Sequence, residues 1–511
     1  MGWINAFRWL SAMSLLLVNT VAFAEQNQPG HTAQTPPNFV ILFADDLGYG
    51  DIQSYGHPYI RTPHIDQLAV DGQRWTDFYV AAPVCSPSRA ALLTGRYPVR
   101  TGQYGQRIGV YFPNEEGGFP AEETTIAEAL SAAGYRTGIF GKWHLGDAKH
   151  AWPTRHGFDE WFGLPYSNDM DWVGEPGIDE IVAYSIAGET EKFAESLAGR
   201  PAKYANPKQA YWAPPVYRSI RTTDAFGQST FADSTVERPA EQTTLTRRYT
   251  EAAIDFMQRA QGAGQPFFVY LPYAMPHTPL FRSKAFEGRS LGGRYGDVVE
   301  EIDWSVGQIR QAVEVLDLAD NTLVLFTSDN GPWLTMLTEG GRAGLLRHGK
   351  GTTFEGGVRV PATFWWGNRL QRGVVSDIGT TLDLYATMAA LAGVDGSAGV
   401  DGQDLSGVLL AGDPSPRNEL AYYRNGQLYA YRQGPWKLHF ITEGAYRQPP
   451  EKTVHDKPLL YHLLRDPSER FDVASEHPEV VARIQKAVAK HQAGMTVLPP
   501  QFDRRIAKLA P

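Results

Sequence analysis

The chain has 511 residues, a formal net charge of −9 and 20% charged residues. This acidic balance is the opposite of what a nucleic-acid-binding surface requires, so we expect no nucleic-acid partner. The length allows a large buried core, and the single cysteine, Cys85, excludes a framework of internal disulfides.

The first 24 residues predict a secretory signal peptide. Arg8 supplies a positive charge, residues 10–21 are mostly apolar, and Ala22-Phe23-Ala24 fits the small-x-small rule for cleavage after Ala24. An uncleaved anchor is the alternative, but no later stretch is apolar enough to span a bilayer. We therefore expect an exported protein, periplasmic or secreted, without a stable membrane anchor.

Four apolar runs along the chain each end in a polar cluster. Such short runs predict strands that are buried on both faces, as in a parallel sheet. The runs and the clusters that follow them are 39–43 with Asp45 and Asp46, 135–140 with Lys142 and His144, 267–271 with His277, and 323–327 with Asp329 and Asn330. Open α/β sheets bind ligands beyond the carboxyl ends of their strands, so the four clusters predict one shared site.

The segment from Cys85 to Gly95 predicts a helix with the only cysteine at its start. Pro87 suits a first helical position, because its missing N–H has no intrahelical partner there, and Gly95 suits the end. The positive end of the helix dipole would favour an anion beside Cys85. A lone cysteine in an exported protein is a buried structural thiol, a pairing partner, a reactive thiol or a modified residue.

Two more helices are predicted by pattern. Thr125 and Glu128 form a capping box that opens a helix through Ala133, with Gly134 after it. The second helix is indicated by apolar residues at spacings of four and three, which share one face: Ile302, Val306, Ile309, Val313 and Leu316. Alternating strands and helices predict an α/β fold with a large mixed, mostly parallel sheet sandwiched by helices.

Composition divides the remainder of the chain. Residues 35–413 carry the alternating pattern, but 166–250 lack a long periodic run and form either a surface insertion or a wall that shapes the substrate site. Residues 414–511 predict a smaller α+β subdomain with an antiparallel sheet. Asn425-Gly426 marks its hairpin turn, 436–440 a further strand, and 478–493 a closing helix.

The motif Cys85-x-Pro87-x-Arg89, followed by 93–96 (Leu-Thr-Gly-Arg), resembles the signature of the type I, formylglycine-dependent sulfatases of the alkaline phosphatase-like superfamily. Further motifs of that family follow the expected order, and together they cover most of the chain: Asp45-Asp46, Gly141-Lys142-Trp143-His144-Leu145-Gly146, His277, Asp329-Asn330-Gly331, and Gly349-Lys350-Gly351 before Glu355-Gly356-Gly357. The resemblance implies an arylsulfatase-like sulfuric ester hydrolase, with 35–413 as its catalytic domain.

In that family the motif cysteine is oxidised to Cα-formylglycine, and the resemblance implies the same for Cys85, with a formylglycine-generating enzyme as its maturation partner. One hydroxyl of the hydrated aldehyde attacks sulfur, and the other later collapses to the carbonyl and expels sulfate. The same resemblance gives roles to the other residues: Arg89 hydrogen-bonds the hydrate, Lys142 and Lys350 hold sulfate oxygens, His277 with Lys350 protonates the leaving oxygen, and His144 orients the hydroxyl that loses its proton.

A metal site is predicted from the same strand ends. Carboxylate and amide oxygens favour a hard cation, Ca²⁺ or Mg²⁺, over zinc, and the alternative is that these groups simply face solvent. The resemblance implies one Ca²⁺ per chain, held by Asp45, Asp46, Asp329, Asn330 and the modified Cys85. Just before Gly349, Arg347 and His348 are either substrate contacts or parts of an exposed loop.

The function predicted from these features is hydrolysis of a sulfate monoester to an alcohol and inorganic sulfate. The export signal and the polar segment 166–250 favour a sulfated carbohydrate over a simple aryl sulfate as substrate. One alternative is a phosphodiesterase or phosphonate monoester hydrolase of the same superfamily, with the same fold and metal site. The other is a non-catalytic binder of sulfated glycans, if Cys85 stays unmodified.

Overall fold

The computed structural model describes residues 36–395 and 399–509. The predicted signal peptide, residues 1–24, lies outside these ranges. Within them, no helix is both long enough and apolar enough to cross a membrane.

Ten strands form the main sheet. They are β1 (Asn38–Ala44), β2 (Gln73–Tyr79), β3 (Arg136–Phe140), β4 (Glu160–Gly163), β5 (Val216–Thr223), β6 (Ser229–Glu237), β7 (Phe267–Pro272), β8 (Thr322–Ser328), β9 (Arg359–Trp365) and β10 (Gly373–Thr380). Their spatial order is β10-β2-β9-β8-β1-β7-β3-β4-β5-β6. The central block β8-β1-β7-β3-β4 is parallel, and antiparallel neighbours flank it on both sides. The predicted mixed, mostly parallel sheet is confirmed.

The described residues also form fourteen α-helices. They are α1 (Pro63–Asp71), α2 (Cys85–Thr94), α3 (Pro98–Thr101), α4 (Ile126–Ala132), α5 (Ile178–Ala187), α6 (Thr190–Ala198), α7 (Arg200–Ala205), α8 (Leu245–Gly262), α9 (Gly293–Val315), α10 (Glu355–Val358), α11 (Asp383–Ala392), α12 (Ser406–Ala411), α13 (Pro478–Ala493) and α14 (Arg504–Leu509).

The central strand β1 divides the hydrophobic core into two layers. Its side chains alternate in direction, so Phe39, Ile41 and Phe43 pack into one layer, while the residues between them pack into the other. The first layer includes apolar residues of α2, α4 and α11, and the second includes those of α8 and α9. Helices therefore cover both faces of the sheet, as the apolar runs predicted.

The helix at the cysteine forms with one difference from the prediction. It begins at Cys85 itself, so Pro87 is its third residue rather than its first. The first turn still suits proline, because an N–H at that position has no intrahelical acceptor. Gly95 ends the helix with φ of 65°, and every residue of α2 is buried. The predicted capping box of α4 is present, with both hydrogen bonds between Thr125 and Glu128.

Residues 166–250 contain more regular structure than their composition indicated. They hold the three helices α5, α6 and α7, and then the hairpin β5–β6. Strand β5 pairs antiparallel with β4, so the hairpin extends the main sheet. Most of β6 is exposed, which explains why the sequence shows no apolar alternation there.

A second, four-stranded antiparallel sheet forms in the C-terminal region from β11 (Glu419–Arg424), β12 (Gln427–Gln433), β13 (Trp436–Thr442) and β14 (Thr453–His462). Asn425 and Gly426 connect the first two strands with φ of 51° and 78°, as a type I′ turn requires. Helix α13 spans the predicted residues 478–493. The domain boundary at residue 413 stays a prediction.

Buried charges connect the two sheets. Arg432 of β12 lies 2.6 Å from Asp77 of β2, and Lys437 of β13 lies 2.9 Å from Glu355 and 3.0 Å from Glu469. Burial alone would raise the pKa of Glu469, but Lys437, His439 and the backbone N–H of Glu355 together outweigh it and hold that pKa at about 2. The Glu469 carboxylate also accepts the backbone N–H of Glu355 at 2.6 Å, so these contacts fix the segment that follows Lys350.

We expect Glu469→Gln to lower the free energy of unfolding at pH 7 by about 3 kcal/mol, because it leaves Lys437 buried with one partner fewer. The carboxyl group has a lower pKa in the folded chain than in the unfolded one. Its stabilisation is therefore complete above the unfolded value of 4.5 and declines as pH falls from there toward 2. The difference between wild type and variant should shrink by about 1 kcal/mol between pH 7 and pH 4.

Urea unfolding followed by circular dichroism measures this difference. Glu476→Gln, at an exposed position of the same segment, is the matched control and should show neither effect. Equal stability of Glu469→Gln and wild type at pH 7 would show that the buried charges are not coupled as described.

Candidate active site

The four predicted strand ends lie side by side in the sheet. Strands β8, β1, β7 and β3 are consecutive neighbours and run parallel, so their carboxyl ends meet at one edge. Helix α2 presents Cys85 and Arg89 to this edge, and the segment between β8 and β9 adds Lys350. All the predicted site residues are buried in one cluster: Asp45, Asp46, Cys85, Arg89, Lys142, His144, His277, Asp329, Asn330 and Lys350.

Three cations pair with three carboxylates inside the cluster. Arg89 donates to one oxygen of Asp329 through two nitrogens, at 2.7 and 3.0 Å. Lys142 lies 2.5 Å from Asp45, and Lys350 lies 2.7 Å from Asp46. Each carboxylate thus has an opposite charge beside it, which burial of ionised groups requires.

The acidic residues and the cysteine form a compact set of possible metal ligands. One ligand atom from each of Asp45, Asp46, Cys85 and Asp329 lies within 4.8 Å of the others. Asn330 donates its amide to Asp46 at 2.7 Å, while its buried Oδ1 accepts no hydrogen bond from any described residue. Three carboxylates and an unpartnered amide oxygen fit a hard cation such as Ca²⁺ or Mg²⁺.

The chain adopts uncommon backbone conformations at this edge. Asp46 and His144 have φ of 65° and 61°, in the left-handed region that non-glycine residues rarely occupy. Gly141 has φ of 144°, and a Cβ atom there would lie 1.9 Å from the carbonyl oxygen of Pro272. This close approach of the backbone lets the Lys142 N–H donate to that carbonyl at 2.8 Å, which sets the course of the following residues.

Burial and neighbouring charges shift the pKa values of the acidic groups in opposite directions. Burial acts to raise the pKa of Asp45, but Lys142 and Arg89 outweigh it and hold the value well below its usual range. Burial and the Asp45 charge raise the pKa of Asp329 to about 7 despite Arg89. Burial also raises the pKa of the Cys85 thiol well above its ordinary value, so the thiolate is disfavoured at neutral pH.

The basic groups show the reverse pattern. Burial, helped by Lys350, lowers the pKa of His277, and burial with Lys142 lowers that of His144 well below its usual value. Burial opposes the charge on Lys350, but Asp46 and the other acidic groups around it together outweigh burial and raise the pKa of that ammonium group well above its ordinary value. Near neutral pH the two imidazoles are therefore neutral, and Lys350 is charged.

Hydrogen bonds identify which imidazole nitrogens face the cluster. His144 Nε2 lies 2.9 Å from the carbonyl oxygen of Tyr111, which can only accept, so the proton of the neutral ring is on Nε2. Its buried Nδ1 has no partner among the described residues and is left as an acceptor. His277 Nδ1 likewise donates to the Thr278 carbonyl at 2.6 Å, while Nε2 lies 3.6 Å from Asp46.

Three residues at the site were missed from the sequence. Ser167 Oγ lies 3.3 Å from His277 Nδ1, the Trp333 ring packs 5.2 Å from the His277 ring, and Tyr446 packs 5.2 Å from Trp333. Ser167 follows the end of β4, so a fifth strand end was an available signal. Trp333 and Tyr446 had none, because aromatic residues in loops are common and Tyr446 belongs to the C-terminal region.

The two residues of undecided role differ in their surroundings. Arg347 donates to the backbone carbonyl of Glu469 at 2.7 Å, and its guanidinium lies 4.2 Å from the centre of the Phe354 ring. Arg347 is therefore held in place by structural contacts. His348 lines a cavity of about 270 Å³ together with Lys350 and Tyr446.

Comparison with known proteins agrees with this architecture. Residues 37–394 match the family described as Sulfatase, and residues 415–510 match the C-terminal region of aryl-sulfatase. Arylsulfatase A from Bos taurus is 39% identical over 96% of this chain and 94% of its own length. N-acetylgalactosamine-6-sulfatase from Canis lupus familiaris is 36% identical over 94% of this chain and 91% of its own.

A solved structure adds a third relative. Ps i-CgsB, in a crystal structure with k-i-k-neocarrahexaose, is 28% identical, covers 89% of this chain and 92% of its own, and superposes with a TM-score of 0.68. Two relatives above 30% identity, each matched over more than 90% of both chains, and a family match over most of this chain together identify its family. The chain belongs to the sulfatase family and is a sulfuric ester hydrolase.

Proposed function

We propose that the enzyme releases sulfate from a sulfated carbohydrate by means of a formylglycine formed from Cys85, with Ca²⁺ beside it. The observation that carries the proposal is the position of Cys85, at the start of α2 and among three carboxylates and three cations. In the overall reaction the substrate loses its sulfuryl group, and water supplies the oxygen and protons that make inorganic sulfate and an alcohol.

Maturation of Cys85 replaces its CH₂SH group by an aldehyde. The carbon gains one oxygen atom and sulfur leaves as hydrogen sulfide, so an external oxidant such as dioxygen must be used by the formylglycine-generating enzyme. Cys85 is only 1% exposed, and that enzyme therefore needs access before the fold closes. The hydrated aldehyde then supplies the nucleophilic hydroxyl that a buried thiol does not.

The proposed ligands of Ca²⁺ are the oxygens of Asp45, Asp46, Asp329 and Asn330, with the modified side chain of residue 85. A bound divalent cation makes a hydroxyl more acidic and offsets negative charge on sulfate oxygens. Support comes from the short mutual distances among Asp45, Asp46, Asp329 and Cys85, and from Asn330 Oδ1, which has no partner among the described residues. The all-oxygen chemistry of these groups favours Ca²⁺ or Mg²⁺ over zinc.

The remaining residues act on protons and charge. Arg89, fixed on Asp329, orients the hydrate by a hydrogen bond, and Lys142 and Lys350 bind sulfate oxygens. His277 presents Nε2, the ring nitrogen that faces Asp46, to the leaving oxygen. This nitrogen is unprotonated in the neutral ring, so the charged ammonium group of Lys350 supplies the proton that reaches the leaving oxygen through His277. His144 takes a proton on Nδ1. This nitrogen has no partner among the described residues, and it is unprotonated because Nε2 carries the proton that is donated to the Tyr111 carbonyl.

A carbohydrate substrate is supported by two relatives. One is named for a sulfated N-acetylgalactosamine, and the other was crystallised with an oligosaccharide. The phosphodiester alternative is tested directly by comparing rates. Faster hydrolysis of an aryl phosphate diester than of the matching aryl sulfate by the purified enzyme would favour it over the proposal.

We expect Cys85→Ala to lower kcat for an aryl sulfate by at least about 10⁴-fold, because it removes the group on which the reaction depends. The thermal midpoint should stay close to that of wild type, since alanine fits in place of a small buried side chain. Ser88→Ala, three residues further along the same buried helix, is the matched control and should keep its activity. Substantial turnover by Cys85→Ala would contradict the proposed nucleophile.

Asp329→Asn should reduce bound calcium below about 0.1 ion per chain and abolish activity, because it removes one charged ligand and frees Arg89 inside the cluster. Elemental analysis of the dialysed protein measures the metal. The matched control is Asp297→Asn, an equally buried carboxylate that caps the backbone N–H groups of Gly288 and Ser290. Stoichiometric calcium in Asp329→Asn would exclude Asp329 as a ligand.

The loss of kcat in the His277→Ala variant should depend strongly on the leaving group of the substrate. A sugar alkoxide needs a proton as it leaves, so kcat for a sugar sulfate should fall by about 10²–10⁴-fold. A nitrophenolate leaves readily without a proton, and the loss for its sulfate should be smaller by at least about 10-fold. His150→Ala changes an exposed imidazole and serves as control. Equal losses on the two substrates would remove His277 from the role of acid.

A further inference from the structure

An aromatic surface extends from the catalytic histidine to helix α7. The ring of Trp333 lies 5.2 Å from that of His277 and 6.2 Å from that of Tyr204, which belongs to α7. The Lys350 ammonium group lies 4.5 Å from the centre of the Trp333 ring. Trp333 itself is only partly buried, so part of its side chain is accessible to a ligand.

Asp169 lies at the far side of this surface. The hydroxyl of Tyr204 donates to its Oδ2 at 2.7 Å. Asp169 is 8% exposed, yet its buried Oδ1 accepts no hydrogen bond from any residue that the structure describes. The Asp169 charge also acts on His277, where it opposes the lowering of the pKa by burial and Lys350.

An unpartnered carboxylate oxygen in this position calls for an explanation. A buried acceptor that lacks a donor is destabilising, and such groups are a minority in folded proteins. The neighbouring carboxylate of Asp171 shows the usual situation, because Arg238 lies 2.7 Å and the Tyr166 hydroxyl 3.2 Å from it. The Nε1–H of Trp333 is a second buried polar group with no partner among the described residues.

We propose that Asp169, Tyr204 and Trp333 form a subsite for the sugar ring that carries the sulfate group. This inference rests on the proposed function, since it names the part of the substrate beyond the ester. A pyranose presents an apolar face of C–H groups, which suits the Trp333 ring, and hydroxyl donors, which suit Asp169 Oδ1. Because Trp333 contacts both His277 and Lys350, a ring stacked on it has its ester oxygen beside the proposed proton donor.

The subsite distinguishes two classes of sulfate ester. An aryl sulfate can stack on Trp333 but has no hydroxyl to donate to Asp169. A sugar sulfate uses both groups, and it satisfies the carboxylate oxygen that is otherwise left without a donor. Specificity for sugars then depends on Asp169, because a site with a buried polar group disfavours a ligand that leaves this group unpaired.

The test uses the matured full-length enzyme with its calcium, the 6-sulfates of galactose, N-acetylgalactosamine and glucosamine, and 4-nitrophenyl sulfate. Asp169→Asn exchanges an acceptor-only group for one that also donates. We expect the ratio of kcat/KM for the best sugar sulfate to that for the aryl sulfate to fall by about 10–100-fold, mainly through KM. Trp333→Ala should lower the same ratio, and Trp333→Phe should restore part of it because the ring is retained.

Asp171→Asn is the matched control, since it changes a carboxylate two residues away that is paired with Arg238, and both substrates should react as with wild type. Binding gives a second readout that does not depend on turnover. Saturation-transfer NMR should detect the unsulfated form of the best sugar on wild type and on Trp333→Phe, but not on Asp169→Asn.

The possible failures are distinguishable. If wild type hydrolyses only the aryl sulfate and none of the sugar sulfates, the proposed carbohydrate function and the subsite both fail. If sugar sulfates are hydrolysed, but Asp169→Asn and Trp333→Ala lower kcat/KM for both substrates equally or not at all, the subsite alone is wrong.

Discussion

The structure depends on a balance of buried charge at one edge of the sheet. Asp45, Asp46 and Asp329 place three carboxyl groups where water is excluded, and such groups ionise there only beside opposite charge. Three cations provide it from separate parts of the chain: Arg89 of α2, Lys142 after β3, and Lys350 before β9. Each of these ion pairs joins residues that are far apart in sequence. The pairs can form only when the parallel strands and the buried helix α2 are correctly placed relative to one another.

The C-terminal sheet is part of the same arrangement. Lys437 donates to the backbone carbonyl of Thr353 at 2.8 Å, three residues after Lys350, and pairs with Glu355 and Glu469. The C-terminal region also supplies Tyr446, which packs on Trp333 beside His277 and Lys350. A charged cluster within one sheet is thus held in position by a second charged cluster between two sheets.

Much of the fold and site follows from sequence for identifiable reasons. The runs that become β1, β7 and β8 are largely apolar, β3 is short and mostly buried, and each strand is followed by polar residues, so both the strands and their shared edge were predictable. The turn at Asn425 and Gly426 was predictable because it needs two residues that accept positive φ. Strand β6 was missed, since its exposed face gives no apolar alternation.

The contacts between distant segments could not be predicted in the same way. Nothing in the composition of residues 166–250 places Tyr204 against Trp333, or leaves one Asp169 oxygen without a partner among the described residues. These features arise from packing among loops, where the sequence has no repeating pattern of apolar residues from which contacts could be predicted. In the proposed function these features shape the surface next to the reacting group, whereas the predicted motifs supply the residues to which the reaction is assigned.

The central claim is that residue 85 of the working enzyme is an aldehyde rather than a thiol. The mass of the peptide that spans Cys85, measured on protein purified from its native host, tests this most directly. Replacement of CH₂SH by CHO predicts a peptide lighter by roughly 18 Da than the sequence requires. An active enzyme whose peptide retains the full mass of cysteine would contradict the account.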